Sequence, residues 1–514
     1  MHQRFARILM LAGALATPAA LLAQLGGGGG GGGAASRALT LPLSGRTGEP
    51  GSVAPVQNSL PGGAQSVNTI TSSVEVQGAY QGSVPSSQAA GAPFDLSLAD
   101  AIRKGLQYNL GTVGYQNSIR QARGQRWVEL ANLMPQVSAD TFVTDQQVDL
   151  AAFGFHFSFP GFSIPTVVGP FHYFDLRAHA TQSIYNMTDR RNFRASEQNL
   201  RATELSAQDA RDLVVLAVTG GYLSILSASA RIDAARAQVA AAQATYQQAV
   251  DRHDAGVTAR IDVTRSQVEL QVQQQRLTSQ ETDFAKQKIQ LGRVIGLPPG
   301  QDFNLTDPLV YTPLANLTLD QALLRAAANR ADLKAAQAQV QAAELARKAA
   351  TAERYPTADV AADYGVIGTS PTSSHGTFSV TGTLRVPIWQ GGRVRGDIEQ
   401  ADAALQQRRA EYEDLRGRVD ADVRQAFLDL TAAASQVTVS QSNRELAADT
   451  LAQARDRFAA GVADTIEVIQ AQESVATAAQ DYIASLFGHN LAKASLARAM
   501  GQAEQGIQQL LGRP

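Results

Sequence analysis

Hydrophobic residues recur every three or four positions over two long stretches of the chain. The first stretch carries a regular apolar seam, made of Ile232, Ala235, Val239, Ala242, Tyr246 and Ala249. The seam returns 205 residues later, where it is interrupted at Arg444. This spacing is typical of helices that pack as coiled coils. We therefore predict two helices, over residues 189–254 and 394–459, each about 100 Å long at a rise of about 1.5 Å per residue.

Ahead of each long helix the apolar period changes to two, which indicates strands. In residues 171–185 the apolar set is Phe174, Leu176, Ala178, Ala180 and Ile184. The intervening set is polar and consists of Asp175, Arg177, His179, Thr181 and Ser183. Residues 377–388 alternate in the same way. We predict four strands, over residues of about 136–150, 171–186, 357–367 and 377–389.

Strands of about ten residues with one apolar and one polar side are typical of membrane β-barrels. Tyr185 and Trp389 end two of the predicted strands, and aromatic residues at strand ends mark a membrane interface. A half-buried sheet of a soluble protein has the same pattern. Four strands cannot close a barrel, and lipid does not tolerate an open sheet edge. A membrane location would therefore require several chains.

The chain contains one unit twice. LSLADAI at residues 96–102 returns as LTLDQAL at 317–323, and RHDAGVTARIDV at 252–263 returns as RFAAGVADTIEV at 457–468. The separations of 221 and 205 residues differ because the first copy has an insertion between its strands, around the aromatic residues of 152–165. We place the copies at 94–296 and 317–502, with a linker at 297–316 and a C-terminal tail at 503–514.

A glycine closes each long helix. Ala-Gly-Val stands at residues 255–257 and again at 460–462, and glycine after a helix end is the usual C-terminal cap. Each copy is therefore expected to fold back as a helical hairpin. The tip turns are predicted at about residues 254–260 and 459–465.

The N-terminus adds two segments. Residues 1–23 are interpreted as a signal peptide cleaved after Ala20 or Ala23, and an uncleaved membrane anchor is the alternative. Residues 24–93 are rich in Gly, Ser and Pro, and we expect them to form a flexible leader. Residues 213–230 carry no charge and approach the length of a membrane span. We interpret them as a buried section of the first long helix.

Composition argues against several classes of function. The formal net charge of −2 provides no basic surface for nucleic acid. The chain has no cysteine, which removes disulfides and thiol chemistry. The seven histidines have no metal-binding spacing, and neither Gly-x-Ser-x-Gly nor His-Glu-x-x-His is found in the sequence. We therefore expect a protein that is not an enzyme and uses no cofactor or metal.

The chain resembles the TolC-like outer-membrane efflux proteins over residues 95–502. The resemblance rests on the duplication, the LSLADAI and LTLDQAL openings, the PIWQGGR turn at 387–393 and the motif R-x-x-x-G-V-x-x-x-I-[DE]-V. It implies a mainly α fold with long helical hairpins. It also implies a homotrimer, in which each chain contributes four strands to one twelve-stranded membrane barrel and its helices to a periplasmic α-barrel.

The resemblance also implies partners and a docking site. The hairpin tips would meet a periplasmic adaptor (membrane fusion) protein, which connects to an RND or ABC transporter in the inner membrane. The tip residues at the matching positions are Gly256, Val257, Gly461 and Val462. The implied function is a passive outer-membrane exit duct for efflux or type I secretion. The alternative is a periplasmic coiled-coil scaffold or adaptor without a barrel.

A periplasmic gate is the second implied site. Asp262 and Glu467 occupy the acidic position after each tip turn, and Gln470 completes the candidate gate. Relatives carry further acidic residues one turn later, where this chain has Arg265 and Gln470, so a second acidic ring is not expected. A ring of carboxylates at a constriction attracts cations. The simpler interpretation is that both acids stabilise a helix N-terminus.

Overall fold

A computed structural model describes residues 52–59, 70–86, 91–154, 165–313 and 317–510. All of these belong to one compact unit, residues 38–514. The predicted signal peptide at 1–23, the glycine run and most of the aromatic insertion lie outside the described residues.

The described residues form eight strands and nine α-helices. Up to the end of the first copy these are β1 (Val53–Ser59), β2 (Ile70–Val76), β3 (Phe94–Leu96), α1 (Leu98–Tyr108), α2 (Leu110–Ala131), β4 (Gln136–Asp149), β5 (Val167–Tyr185), α3 (Met187–Asp254) and α4 (Arg260–Val294). The remainder are β6 (Phe303–Leu305), α5 (Leu319–Asn329), α6 (Ala331–Ala352), β7 (Thr357–Gly368), β8 (Ser374–Arg385), α7 (Arg393–Ala459), α8 (Thr465–Ala499) and α9 (Ala503–Leu510). The predicted mainly helical, duplicated fold with two long hairpins is confirmed.

The long helices α3 and α7 begin and end within two residues of their predicted bounds. The N-cap of α3 is Asn186, whose side chain accepts hydrogen bonds from the N–H groups of Thr188 and Asp189, so the helix start has a local cause. Along the predicted seam, Ile232 and Ala242 are buried. The seam therefore faces neighbouring helices, as its spacing indicates.

The uncharged part of α3 is a core segment of this chain. Among the described helices, α3 alone is long and apolar enough to cross a membrane, and its most apolar 18-residue window has a mean hydropathy of 1.8. That window is 72% buried inside the protein. Val214, Tyr222 and Ile225 have no exposed surface and belong to the main hydrophobic core. The interpretation of residues 213–230 as a buried section of helix therefore agrees with the structure.

The strands between the helices form one antiparallel sheet in the order β4-β5-β7-β8. Two strands come from each copy, so the central pair β5-β7 joins the copies. The outer strands β4 and β8 each have one edge that pairs with no described strand of the chain.

Equivalent glycines end the two returning helices. Gly296 follows α4 with φ 76°, and a Cβ there would lie 2.4 Å from Cβ of Tyr108 at the end of α1. Gly501 follows α8 with φ 69°, and a Cβ there would lie 2.8 Å from the backbone of Arg330 at the end of α5. Both positions require glycine, because the backbone is left-handed and the neighbouring helix lies in close contact.

The expected leader, the linker and the C-terminal tail each contain a short element that the sequence did not predict. In the expected leader, β1 and β2 form an antiparallel pair, and Tyr80 is only 2% exposed. In the linker, β6 pairs in parallel with β3 and buries Phe303. In the tail, α9 buries Ala503 and Ile507 in the main core. The sequence did not predict these elements because each is short, has little local pattern and is stabilised by contacts with distant parts of the chain.

Candidate functional site

The first tip turn reverses the chain between α3 and α4. Gly256 adopts a left-handed φ of 74°. Its N–H donates to the carbonyl of His253 at 2.8 Å, and the N–H of Val257 donates to the carbonyl of Arg252 at 2.9 Å. These two bonds form a Schellman motif, which satisfies the last carbonyls of the helix and needs a residue that tolerates positive φ.

The second tip turn repeats this geometry between α7 and α8. Gly461 has a φ of 77°, and its N–H donates to the carbonyl of Phe458 at 3.1 Å. The N–H of Val462 donates to the carbonyl of Arg457 at 3.0 Å. The valine after each glycine is largely exposed, Val257 by 70% and Val462 by 68%. The four residues predicted for docking thus lie at the turns, where the side chains of the two valines face solvent in the single chain.

The two predicted acids lie in the first turns of the returning helices, Asp262 in α4 and Glu467 in α8. Asp262 lies 3.8 Å from Arg265, and Glu467 lies 3.1 Å from Arg457. Each carboxylate therefore forms an ion pair within its own hairpin and also lies near a helix N-terminus, which favours negative charge. Gln470 is exposed one turn further along α8.

The helix after the second tip has a cap that sequence reasoning missed. Asp464 is the N-cap of α8, and its carboxylate accepts a hydrogen bond from the N–H of Glu467 at 3.1 Å. Ala259 holds the same place before α4 and provides no side-chain cap. The pattern Asp-x-x-Glu before an apolar run was the available signal.

One contact connects the two tips of the chain. The guanidinium carbon of Arg252 lies 4.1 Å from the ring centroid of Phe458, and its Nη2 donates to the Phe458 carbonyl at 3.1 Å. A cation above an aromatic face at this distance is stabilising. Sequence reasoning missed this pair. The one sequence signal was the repeat alignment, in which Phe458 takes the position equivalent to His253, next to Arg252.

An apolar groove lies beside the tips, between the first turns of α4 and α8. Its volume is about 390 Å³, and its apolar lining includes Ile261, Val268, Ile466 and Ile469. Ile261 and Val268 are each more than half exposed. The groove and the two exposed tip valines each present apolar surface of the kind found at protein contacts.

The four-stranded sheet separates an apolar face from a polar face. The strand register sets Ala178 opposite Ala139 and Tyr364, and Tyr364 opposite Phe378. In the single chain Tyr364 is 67% and Phe378 is 77% exposed. A sheet with an exposed apolar face is suited to lipid only when its edges are paired.

The polar face carries a cluster of charged groups around Arg177 of β5. This guanidinium forms an ion pair with Asp363, lies 3.4 Å from Asp175 and donates to Oγ1 of Thr377 at 3.2 Å. Gly365 lies opposite, where a Cβ would come within 2.8 Å of Cα of Arg177. The glycine therefore provides room for the charged cluster, which is suited to a water-filled lumen.

Tyr185 lies at the end of β5, as predicted. A bulge at Ile184 interrupts the alternation, because Ser183 pairs with Asp359 whereas Tyr185 pairs with Ala358. Tyr185 therefore lies opposite Ala358 on the apolar face, one residue out of the alternation seen in the sequence. A bulge shifts the register by one residue and has no reliable sequence signal.

Trp389 lies beyond the strand that it was expected to end. β8 stops at Arg385, and Trp389 is 87% exposed in the turn that follows. Pro387 has no N–H for the ladder, which accounts for the earlier end. Gly391 and Gly392 then adopt positive φ before α7 begins.

The histidines of β5 have carboxylate neighbours in β4. His172 lies 2.9 Å from Asp145, and His179 lies 3.8 Å from Asp140. Each is a separate pair across the ladder. Within the described part of the chain, no group of three or more His, Cys, Asp or Glu is arranged to hold a metal ion.

A family model agrees with the internal duplication. The model described as outer membrane efflux protein matches residues 115–297 and 322–513. One matched stretch lies mainly in each copy, the second continues to residue 513, and together they cover well over half of the chain.

Curated proteins with similar sequences are found in several bacterial genera. The chain is 27% identical over 302 residues to Protein CyaE of Bordetella pertussis. It is 25% identical over 325 residues to the toluene efflux pump outer membrane protein TtgF of Pseudomonas putida. The matches cover 58% and 60% of this chain and 63% and 65% of those proteins. The chain thus spans slightly less than two thirds of the length of these relatives.

Solved structures have the same fold. The crystal structure of the outer membrane protein VceC from Vibrio cholerae superposes with a TM-score of 0.66 at 18% identity. The superposition covers 79% of this chain and 96% of VceC. At this level of identity the superposition identifies the fold and assigns no role to individual residues.

Proposed function

This chain belongs to the outer membrane efflux protein family, and we propose that three copies of it form an exit duct. The duct crosses the outer membrane of a diderm bacterium and extends into the periplasm through the helical hairpins. It serves a tripartite efflux or type I secretion system. Its role is passive and involves no catalytic step.

The observation that carries this proposal is the open sheet with two chemically different faces. Four strands cannot form a closed barrel, and unpaired edges in lipid are costly. β4 and β8 are the edges of the sheet. If β4 of one copy pairs with β8 of the next, the edges disappear, the apolar face meets lipid and the polar face lines the lumen.

The tips are the proposed docking site for a periplasmic adaptor protein. Their exposed valines and the apolar groove beside them support this assignment. In the trimer, Asp262 and Glu467 would form rings of carboxylates at the periplasmic end, with Gln470 one turn away, and such rings attract cations. Tyr185 and Trp389 are assigned to the membrane interface. The adaptor would connect the duct to an RND or ABC transporter of the inner membrane.

Two measurements on the purified protein test the duct. We expect a trimer in SDS gels that dissociates on heating, and stepwise ion conductance when the protein is added to planar lipid bilayers. A protein that stays soluble and monodisperse without detergent, and that conducts no ions, would instead be the periplasmic scaffold.

A further inference from the structure

The hairpin formed by β1 and β2 encloses a cavity against helices of both copies. The cavity has a volume of about 510 Å³ and is lined by β2, α3, α4 and α8. Val74 of β2 packs directly on Gly220, where a Cβ would lie 2.4 Å from a Val74 methyl carbon. This close contact fixes the hairpin over the cavity. The volume is within the range of small-molecule sites, which is about 300–1,000 Å³.

Two guanidinium groups line the cavity, those of Arg231 in α3 and Arg293 in α4. None of the described lining residues is Asp or Glu. Nε of Arg231 is buried and has no hydrogen-bond partner among the described residues. Burial lowers the pKa of this guanidinium, and no carboxylate offsets that effect. Arg231 is partly buried, and a partly desolvated cation without a counter-charge is destabilising, so an anion at this place would be stabilising.

A buried hydroxyl lies on the same stretch of α3. Ser227 lines the cavity and is 3% exposed, and its Oγ has no hydrogen-bond partner within the described part of the chain. Buried polar groups normally have a partner. Arg231 and Ser227 are four residues apart, so they lie on one face of the helix. Together they provide a cation and a hydrogen-bond donor to one ligand group.

The second copy of the unit provides an internal comparison. Arg498 occupies the position equivalent to Arg293, 205 residues later. Its Nη2 lies 2.6 Å from Asp209, so this guanidinium has a carboxylate partner. Arg293 forms no ion pair with a described residue. It does lie in the last turn of α4, where a positive charge is favourable, so Arg231 is the stronger indication of a ligand.

The remainder of the lining is suited to an apolar body. Leu291, Phe487 and Val74 contribute apolar side chains to the wall. We propose that this cavity binds a small anionic amphiphile, whose carboxylate or phosphate contacts Arg231 and Ser227 while its apolar part packs against Leu291 and Phe487. The cavity forms within one chain. The proposal is therefore independent of the exit duct.

Calorimetric titration of the detergent-solubilised full chain with phenylbutyrate tests the site, with phenylbutanol as the uncharged analogue of the same shape. We expect phenylbutyrate to bind at one site per chain and phenylbutanol to bind at least tenfold more weakly. Arg231→Gln should weaken phenylbutyrate binding at least tenfold, because a charge-assisted hydrogen bond is lost. Ser227→Ala, a mild change within a helix, should weaken it severalfold.

Arg236→Gln is the matched control. Arg236 lies five residues further along α3, is exposed and pairs with Glu281 at 3.1 Å, so its replacement changes the net charge equally without touching the cavity. Binding by this variant should equal that of the wild type. Equal binding of phenylbutanol and phenylbutyrate, or wild-type binding by both the Arg231→Gln and Ser227→Ala variants, would overturn the proposal.

Discussion

Single residues fix the two places where the chain reverses direction. A Cβ at Gly461 would meet no described atom within 4 Å, so only the φ of 77° opposes substitution there. A β-branched residue at such a φ is disfavoured by about 1–2 kcal/mol. We expect Gly461→Val to distort the tip turn and to abolish efflux in a complementation assay, while trimers form normally.

Gly417→Val is the control for that change. A Cβ at Gly417 would also have open space around it, but this glycine lies inside α7 with an ordinary helical backbone. We expect this variant to retain both efflux and trimers. Normal efflux by the Gly461→Val variant would contradict a docking role for the second tip.

Glu467 is the residue at which a gate and a structural role can be separated. Glu467→Lys should reduce cation preference and change gating in bilayer recordings, because the proposed carboxylate ring becomes positive. Arg457→Gln removes the 3.1 Å ion pair but leaves the carboxylate in place, so cation preference should be retained. Unchanged conductance and selectivity in the Glu467→Lys variant would refute the gate.

His489 gives the chain a predictable response to acid. It is 1% exposed and lies 4.7 Å from the ring of Tyr311. Burial, with a smaller contribution from the charge of Lys493, lowers the pKa of His489 from 6.5 to about 4. Between these values the unfolded chain binds a proton that the folded chain does not. The contribution of His489 to the free energy of unfolding is therefore fully present above about pH 6.5. It decreases as the pH drops toward 4, by up to about 3 kcal/mol per chain.

The measurement is denaturant unfolding of the wild type and a His489→Gln variant, at about pH 7 and about pH 4. Other groups that titrate in this range affect both proteins equally. The wild type should lose more free energy of unfolding than the variant between the two conditions. Equal losses would show that His489 does not titrate as its burial predicts.

At the scale of elements, the two faces of the sheet should respond differently to charge. Val380 lies on the apolar face of β8 and is 68% exposed in the single chain, and Thr381 lies on the polar face. Arginine on the lipid face of a barrel costs about 2–4 kcal/mol near the membrane centre. We expect Val380→Arg to reduce the yield of heat-dissociable trimers and Thr381→Arg to be tolerated. Equal yields from the two variants would contradict the assignment of the faces.

How far the elements could be predicted depends on their length. α3 and α7 repeat a helical pattern over many turns, and the following glycines mark their ends, so the sequence predicted them closely. β1, β2 and β6 are at most seven residues long, too short for a periodic signal, and they form because α3, α8 and β3 offer a surface or an edge. The cavity under β2 was unpredictable for the same reason.

The candidate site was predictable where one residue type determines the backbone. Gly256 and Gly461 are required by the left-handed turns, and their spacing of 205 residues reveals the repeat. Contacts between the two tips, such as Arg252 with Phe458, involve residues about two hundred positions apart. No local pattern encodes them.

In the whole molecule as we propose it, copies of the chain join through their sheet edges. Within one chain β4 and β8 are three strand spacings apart, roughly 14 Å, which is too far for a disulfide. The chain has no cysteine, so an introduced pair has no competitor. A pair with one member in each edge strand can therefore react only between copies.

The most direct test is oxidative cross-linking of Ala139→Cys in β4 combined with a cysteine at Phe378, Val380 or Gly382 in β8, which lie on the same face. At least one pair should give a covalent ladder in boiled, non-reducing SDS gels that stops at three chains. Each single-cysteine variant should remain at the mass of one chain. Monomers from every pair, or a ladder that continues beyond three chains, would contradict the closed trimeric barrel.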